Sequence, residues 1–226
     1  MSENTYDVIV VGKGNAALCS ALSARDTGAK VLMIEAASRD EHGGNSRFAG
    51  GVMRFAYETV EDLLKVTDIT EKEIAETDFG TNTTDEYFDD LFRLTQFRTD
   101  PELSEILVRQ SLETMIWLRS KGVRFVPNFG RQSALVDGKR KFFGRLPIEV
   151  SGGGAGLVDF LDKTAQQEQI EVVYDTRVNS LIFDGIKVSG VRAQSGDQLV
   201  EYHAKSVILA CGGFEANPEM RTRYLG

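Results

Sequence analysis

A short segment near the amino terminus, residues 6–35, constrains the fold more than any other part of the chain. It reads YDVIVVGKGNAALCSALSARDTGAKVLMIE, an apolar run, a glycine turn, a helical pattern and a second apolar run. Residues 8–11 and 31–34 are short and apolar, as strands buried on both faces of a sheet are. Between them, apolar residues recur at helical spacing from Ala17, and Gly28 can end that helix. The segment therefore predicts a strand–helix–strand unit of an α/β fold.

The small residues of the turn have the spacing that accommodates a dinucleotide. Gly12 permits the tight turn, Gly14 lets the backbone approach a diphosphate, and Ala17 lets helix and strand pack closely. The diphosphate would then lie on unpaired N–H groups at the helix start, where the helix dipole favours negative charge. Glu35 ends the second strand, at a distance suited to a ribose hydroxyl pair. We predict a dinucleotide site here; Glu35 suits NAD and FAD equally, and a strand–helix–strand turn without a ligand is the alternative.

The charge of the chain is unevenly distributed. The formal net charge is −8, from 26 basic and 34 acidic residues, and residues 57–90 hold twelve acids against two lysines. That local balance of −10 leaves +2 for the rest of the chain, which argues against a nucleic-acid partner. A solvated helical face is the simplest interpretation of the acidic stretch.

Membrane and redox signals are weak throughout the sequence. No apolar run approaches the length of a membrane span, so we expect no direct membrane insertion. No cationic and then apolar leader precedes Tyr6, which argues against export. Cys19 and Cys211 have no nearby cysteine partner, so we expect neither a disulfide framework nor a metal site. These signals favour the cytoplasm.

A second glycine-rich block, residues 36–54, follows the strand–helix–strand unit. It contains the pairs Gly43–Gly44 and Gly50–Gly51, too many glycines for a helix or regular strand. Such backbone can lie flat against a bound group, with Asn45 and Ser46 as hydrogen-bonding partners. A flexible surface loop is the alternative interpretation.

Residues 57–122 have a predominantly helical pattern. Thr83 followed by Glu86 fits a capping box, and Asp100–Pro101 fits a helix start. From there the apolar pattern predicts one long helix that ends at Gly122. We predict one doubly wound domain over residues 1–226, with a helical insertion at about 57–122.

The pattern of residues 123–226 predicts further strands. Asp137–Gly138 is typical of a hairpin tip, and a basic cluster beside it contains Arg140 and Arg145. The run SGGGAG at 151–156 opens a helix from 157 to 169, but it lacks a preceding buried strand, so we predict no second dinucleotide site. Residues 171–174 predict a strand of the first sheet, and 178–183, 187–193 and 199–204 predict a hairpin with a third strand. Residues 206–210 predict a buried strand, and Asn217–Pro218 starts a last helix.

Three blocks together resemble a known family. They are VVGKGNAALCSALSARDTGAKVLMIE, GGNSRFAGGVM and AKSVILACGGFEANPEMRTRYLG. They resemble the flavoprotein subunits of the fumarate reductase and succinate dehydrogenase superfamily, and within it the FAD-dependent tricarballylate dehydrogenases and the flavin domain of a cobalamin-pathway protein.

This resemblance implies a Rossmann-like FAD-binding domain with a parallel sheet, a helical insertion and a β-hairpin layer. FAD would lie extended along the top of the sheet. Gly12, Gly14, Asn15 and Ala16 would contact the diphosphate, Glu35 the adenosine ribose, and Ala36 the adenine. The flavin side would be lined by Gly44, Asn45, Ser46, Gly50 and Gly51. The backbone of Val178 would meet the adenine, and Ala210, Gly212 and Gly213 would form the turn beside FAD.

The resemblance also implies what kind of enzyme to expect. Family members dehydrogenate or reduce a C–C bond next to carboxylates, here most simply tricarballylate to cis-aconitate, with an electron acceptor that the sequence does not identify. Members with covalent flavin carry a histidine within the segment that matches GGNSRFAGGVM; here residues 43–53 hold none and His42 precedes them, so we expect noncovalent FAD.

In the family that this chain resembles, the substrate-clamping residues and the proton relay belong to a cap domain that follows the ACGGF block, here residues 210–214. We therefore expect this chain to be the amino-terminal portion of a protein about twice as long, without the cap, and we nominate no catalytic residue. His203 is interpreted as structural. The arginines that can clamp a carboxylate substrate here are Arg47, Arg131, Arg140 and Arg145.

Other functions stay open at this point. A fumarate- or ketosteroid-type flavoenzyme shares the same motifs. A nicotinamide-dependent dehydrogenase fits the first block, although the second and third blocks favour FAD. A nucleotide-binding module without catalysis is the alternative from another class.

Overall fold

The computed structural model describes residues 5–225, which divide into two units. The first unit contains the chain up to Ala49 and from Leu157 onward, and the second contains Gly50–Gly156. The predicted insertion, residues 57–122, falls within the second unit. The single domain over 1–226 stays a prediction.

The secondary structure is mixed. The strands are β1 (Thr5–Val11), β2 (Val31–Ile34), β3 (Thr77–Asp78), β4 (Phe125–Pro127), β5 (Ser133–Val136), β6 (Lys139–Phe142), β7 (Ile148–Val150), β8 (Glu171–Val173), β9 (Thr176–Phe183), β10 (Val188–Ser195) and β11 (Gln198–Leu209). The helices are α1 (Asn15–Asp26), α2 (Val60–Val66), α3 (Glu71–Glu76), α4 (Thr84–Leu94), α5 (Pro101–Arg109), α6 (Ser111–Ser120), α7 (Gly153–Gln167) and α8 (Pro218–Tyr224).

A six-stranded sheet in the order β8-β2-β1-β11-β10-β9 organises the first unit. Its first four strands are parallel, and Val10 is paired with Met33 on β2 and with Ile208 on β11. The remaining pairs, β11 with β10 and β10 with β9, are antiparallel. The predicted strand–helix–strand unit and the return of β8 to its sheet are confirmed.

Side chains alternate between the two faces along each strand, and the apolar ones on one face of the sheet form a core there. Ile9 and Val11 on β1 face the same side as Leu32 and Ile34 on β2, and all four are buried. Helix α1 buries Leu18 and covers the strands that flank its turn. This packing keeps the carboxyl ends of the central strands in register.

The predicted β-hairpin layer extends the same sheet. The expected separate strands 199–204 and 206–210 are one continuous strand, β11, because it pairs with β10 in its first half and with β1 in its second. The expected burial of residues 206–210 was also wrong. Leu209 is 60% exposed because it lines the cavity described below.

The second unit contains α2–α6 and two small sheets, β3-β6-β5 and β4-β7. The capping box from Thr83 to Glu86 is confirmed, and so is the Asp137–Gly138 hairpin turn, where both residues have positive φ. The single helix expected from 101 to 122 was wrong: it breaks at Gln110. The hydroxyl of Ser111 donates to the Val108 carbonyl and accepts the Ala56 N–H, so a side chain competes with the helical pattern there.

The glycine run at 151–156 also differs from expectation. Strand β7 directly precedes it, and α7 begins at Gly153 rather than at 157. Within residues 5–225, no helix is both long and apolar enough to cross a membrane.

Candidate cofactor site

The first unit contains a cavity of about 1000 Å³ at the carboxyl ends of β1, β2 and β11. This is the edge of a parallel sheet where α/β proteins bind ligands. The lining includes thirteen of the residues predicted from the sequence: Gly12, Gly14, Asn15, Ala16, Glu35, Ala36, Gly44, Asn45, Ser46, Val178, Ala210, Gly212 and Gly213. Three segments far apart in sequence therefore meet around one cavity.

The turn after β1 passes very close to the end of β11. The N–H of Gly12 donates to the Ile34 carbonyl at 2.8 Å, and the N–H of Ala210 donates to the Val11 carbonyl at 2.9 Å. Gly12 has a φ of +110°, and a Cβ there would lie 2.5 Å from the Ala210 carbonyl oxygen. Only glycine fits this crossing, which forms the floor of the cavity.

Helix α1 begins at the cavity without a side-chain cap. Gly14 is its N-cap and has no side chain to cap the helix, and the first turn carries no acidic residue. Ser46 Oγ accepts the Asn15 N–H at 3.0 Å. A Cβ on Gly14 would lie 3.3 Å from Ser46 Oγ and 3.4 Å from the Gly43 carbonyl oxygen. The N–H groups at the start of the helix thus favour an anion, as a diphosphate site requires.

Glu35 lies where β2 ends. One oxygen of its carboxylate accepts the Ala37 N–H at 2.8 Å, which fixes the side chain at the wall of the cavity. Its own N–H donates to the Val173 carbonyl and its carbonyl accepts from Thr176, so β8 and β9 hold the backbone on both sides. This is the position that a ribose-binding carboxylate occupies in the dinucleotide fold.

Residues 43–46, 48 and 49 of the second glycine block line a further part of the cavity. Gly44–Phe48 is a short 3₁₀ turn, and Asn45 Nδ2 donates to Glu215 Oε2 at 3.1 Å. Phe48 is 89% exposed on the cavity lining. The block is therefore an ordered wall of the cavity rather than a free loop.

Gly50 and Gly51 belong to the second unit, and the structure gives both a packing role there. Gly51 has a φ of +77°, and a Cβ on it would lie 2.5 Å from the Gly153 Cα. Gly50 accepts a hydrogen bond from Arg131 at its carbonyl. Their predicted place beside the flavin stays a prediction.

The four arginines considered as substrate clamps all have partners within their own unit. The acceptors are Asp159 and the His42 carbonyl for Arg47, the Gly50 carbonyl for Arg131, Ser133 and the Phe129 carbonyl for Arg140, and Glu86 and Asp90 for Arg145. Arg47 is the one that lies in the first unit, and its guanidinium is turned to α7.

Sequence reasoning missed a buried charged cluster behind the glycine turn. Lys13 is completely buried and forms an ion pair with Asp162 on α7, and His42 Nε2 lies 3.6 Å from the other Asp162 oxygen. Burial lowers the pKa of the Lys13 ammonium, and burial together with the Lys13 charge lowers the pKa of His42. The available signal was Asp162 itself, which shares an apolar helical face with Val158.

Both cysteines are free thiols. Burial raises the pKa of Cys19 to about 11, which makes it a poor nucleophile. Cys211 is exposed and lines the cavity between Ala210 and Gly212. Reaction of the Cys211 thiol can therefore report whether the cavity is occupied.

The lining fits FAD. The volume is large enough for a dinucleotide, the helix start favours a diphosphate, and the glycines leave space that any Cβ would fill. The Glu35 carboxylate lies at the end of β2, where the dinucleotide fold has room for a ribose-binding acid. The wall around the cavity is formed by all three sequence blocks.

Comparison with known proteins agrees with this geometry. Residues 7–225 match the FAD binding domain family. The chain is 28% identical to the NADH:fumarate oxidoreductase of Klebsiella pneumoniae over 97% of its own length and 22% of that protein. It is 31% identical to a fumarate reductase (cytochrome) of Shewanella frigidimarina over 96% of its own length and 34% of that protein.

A solved structure shows the same fold. The open conformation of a flavocytochrome c3 fumarate reductase superimposes with a TM-score of 0.73 at 26% identity, over 98% of this chain and 36% of that one. The chain thus spans between about a fifth and two fifths of the length of the curated relatives it matches. The match over residues 7–225 settles the choice between NAD and FAD: the chain belongs to the FAD binding domain family, and FAD is its cofactor.

Proposed function

We propose that this chain forms the FAD-binding part of an oxidoreductase that acts on a C–C bond of a di- or tricarboxylic acid. The observation that supports it most is one cavity lined by the glycine turn, Glu35 and the Ala210–Gly213 turn in a member of the FAD binding domain family. When bound, FAD accepts or delivers hydride, and the protein contributes placement and electrostatics.

Different residues of the cavity bind different parts of FAD in this proposal. We assign the diphosphate to Gly12, Gly14, Asn15 and Ala16, the ribose to Glu35, and the adenine to Ala36 and Val178. We assign the flavin half of FAD to the second block and to the Ala210–Gly213 turn. The cofactor is held noncovalently, because the nearest histidine, His42, is buried against the Tyr174 ring and Asp162.

Tricarballylate is the substrate we propose, oxidised to cis-aconitate, and it rests on the likeness of the sequence blocks. A second candidate, reduction of fumarate, is favoured by the 31% identical Shewanella protein. The cytoplasmic location stays a prediction from the two unpaired cysteines.

A paired assay on the complete natural polypeptide separates the two reactions. We expect tricarballylate to reduce a dye acceptor, and fumarate to leave a reduced viologen dye unoxidised. Oxidation of the viologen by fumarate, with no reaction of tricarballylate, would favour the second candidate. Tight FAD binding without turnover of any carboxylic acid would instead indicate a nucleotide-binding module.

Thiol labelling tests where FAD binds. Saturating FAD should slow alkylation of Cys211 by about tenfold or more, since that thiol is exposed on the cavity wall. The measurement is mass spectrometry of protein treated with iodoacetamide, with and without FAD. Cys19 is the internal control and should stay unlabelled in both samples, because its raised pKa keeps it protonated. Equal labelling of Cys211 in the two samples would place FAD elsewhere.

A further inference from the structure

The lysine inside the glycine turn has an unusual environment. Lys13 lies between Gly12 and Gly14 on the lining of the cavity, yet its side chain has no exposed surface. Removing an ammonium group from water is costly unless a partner of opposite charge is held against it. The burial of the Lys13 side chain therefore requires a partner of opposite charge in the interior.

That partner comes from a distant part of the sequence. Lys13 Nζ donates a hydrogen bond to Oδ1 of Asp162, which lies on α7, 149 positions later in the sequence. Its Oδ2 accepts from Gln166 Nε2 at 2.8 Å, which fixes the carboxylate from its own helix. The ammonium also lies 5.5 Å from the centroid of the Tyr174 ring. The ion pair is thus held on several sides by groups of the first unit.

His42, which directly precedes the Gly43–Gly44 pair of the second glycine block, completes the cluster. Its Nε2 lies 3.6 Å from Asp162 Oδ2, its side chain is 6% exposed, and its Nδ1 has no hydrogen-bond partner among the described residues. The carbonyl of the same residue accepts from Arg47 Nε. Asp162 therefore stands between the first glycine turn and the start of the second block, two walls of the cavity.

A buried ion pair of this kind contributes little net stability, because desolvation offsets most of the attraction. Its best-attested use is to select one arrangement among several. Here the ion pair selects one conformation of the glycine turn. That turn positions the start of α1 and its N–H groups. An apolar contact at the same place would pack against the turn but would not fix the orientation of its backbone.

We propose that the Lys13–Asp162 ion pair is a positioning device for the diphosphate of FAD: it locks the glycine turn to α7, so that the turn is pre-organised before the cofactor arrives. This inference rests on the proposed binding of FAD in this cavity. Lys13 and Asp162 are positioning residues in this account, acting through the backbone of the turn.

The decisive variant replaces both charges with apolar side chains. Lys13→Met alone leaves Asp162 buried without its partner and should lower both stability and cofactor affinity. The double variant Lys13→Met/Asp162→Leu should regain wild-type stability in urea, since an apolar pair can substitute for a buried ion pair. Its affinity for ADP and FAD should stay about tenfold below wild type, because pre-organisation has been lost.

Amide hydrogen exchange supplies a readout besides affinity. Without ligand, the segment around residues 12–18 should exchange faster in the double variant than in wild type, while β2 and β11 exchange alike in both. Asp162→Asn is the conservative variant: it keeps an acceptor for Lys13 and should show an intermediate loss of affinity. Lys163→Met changes an exposed neighbour of Asp162 on α7 and should leave affinity for ADP unchanged.

The outcomes distinguish this inference from the function on which it rests. Wild-type affinity for ADP and unchanged exchange in the double variant would overturn the positioning role and leave the FAD site intact. Wild-type protein that binds neither ADP nor FAD would overturn the proposed function and this inference with it. Reduced affinity in the double variant at restored stability supports the proposal.

Discussion

Replacing Gly14 with leucine should abolish retention of FAD while the protein stays folded. A side chain at this position begins 3.3 Å from Ser46 Oγ and 3.4 Å from the Gly43 carbonyl, so it extends across the cavity where the diphosphate is assigned. The backbone of Gly14 is extended, with φ of −80°, so leucine adopts it without strain. We expect affinity for FAD to fall about 100-fold or more, equivalent to about 2.7 kcal/mol.

The measurement is flavin absorbance per mole of purified protein, together with titration of FAD into the apoprotein. Gly130→Leu is the matched control, because a Cβ on Gly130 meets no atom within 4 Å and the residue lies in the second unit. It should retain flavin as wild type does. Unchanged flavin content in the Gly14 variant would contradict the site assigned to FAD.

Replacing Asp90 with asparagine should destabilise the protein by about 2 kcal/mol, with no direct effect on the cavity. The carboxylate accepts from Arg54 Nη2, from Arg93 Nη2 at 2.9 Å and from Arg145 Nη1 at 2.7 Å, all within the second unit. An asparagine amide supplies one neutral acceptor for these charged donors. The partly buried guanidinium group of Arg54 would then lose its counter-charge, and that of Arg145 would keep only Glu86.

The same carboxylate makes the effect depend on pH. Hydrogen bonds from Arg54 and Arg93 hold the pKa of Asp90 well below its usual range. A lowered pKa in the folded state contributes stability above the unfolded value of about 4, and that contribution is lost as the pH falls below it. The difference in unfolding free energy between wild type and Asp90→Asn should therefore be full at about pH 7 and shrink below about pH 4.

Urea unfolding across this pH range checks the prediction. Asp89→Asn is the matched control, since Asp89 is the exposed neighbour on the same helix, and it should change stability little at any pH. A difference between wild type and Asp90→Asn that does not vary with pH would mean that the charge of Asp90 is not what stabilises the second unit.

Prediction from sequence succeeded where structure is decided locally. The glycine turn, α1 and the acid after β2 were predicted together because their signals lie within 30 residues and each signal has a steric cause. The capping box at Thr83 and the Asp137–Gly138 turn are of the same kind: a short-range hydrogen bond or a positive φ fixes them. Signals of this range do not depend on what packs nearby.

The errors arose where a distant partner decides. The break at Gln110 depends on Ser111 accepting the N–H of Ala56, which lies 55 positions earlier. The continuity of β11 depends on β1 at one end and β10 at the other. No window of the sequence contains both members of such pairs.

By itself the sequence determined that this chain forms a parallel α/β sheet with a dinucleotide turn, because periodicity and glycine spacing are sufficient to specify that unit. Only the tertiary structure decided which side chain faces the interior of the turn. Lys13 is buried on Asp162 because α7 returns a carboxylate to the back of the glycine turn. Burial of a charge is favourable only when its partner is present, and that partner is brought there by the fold.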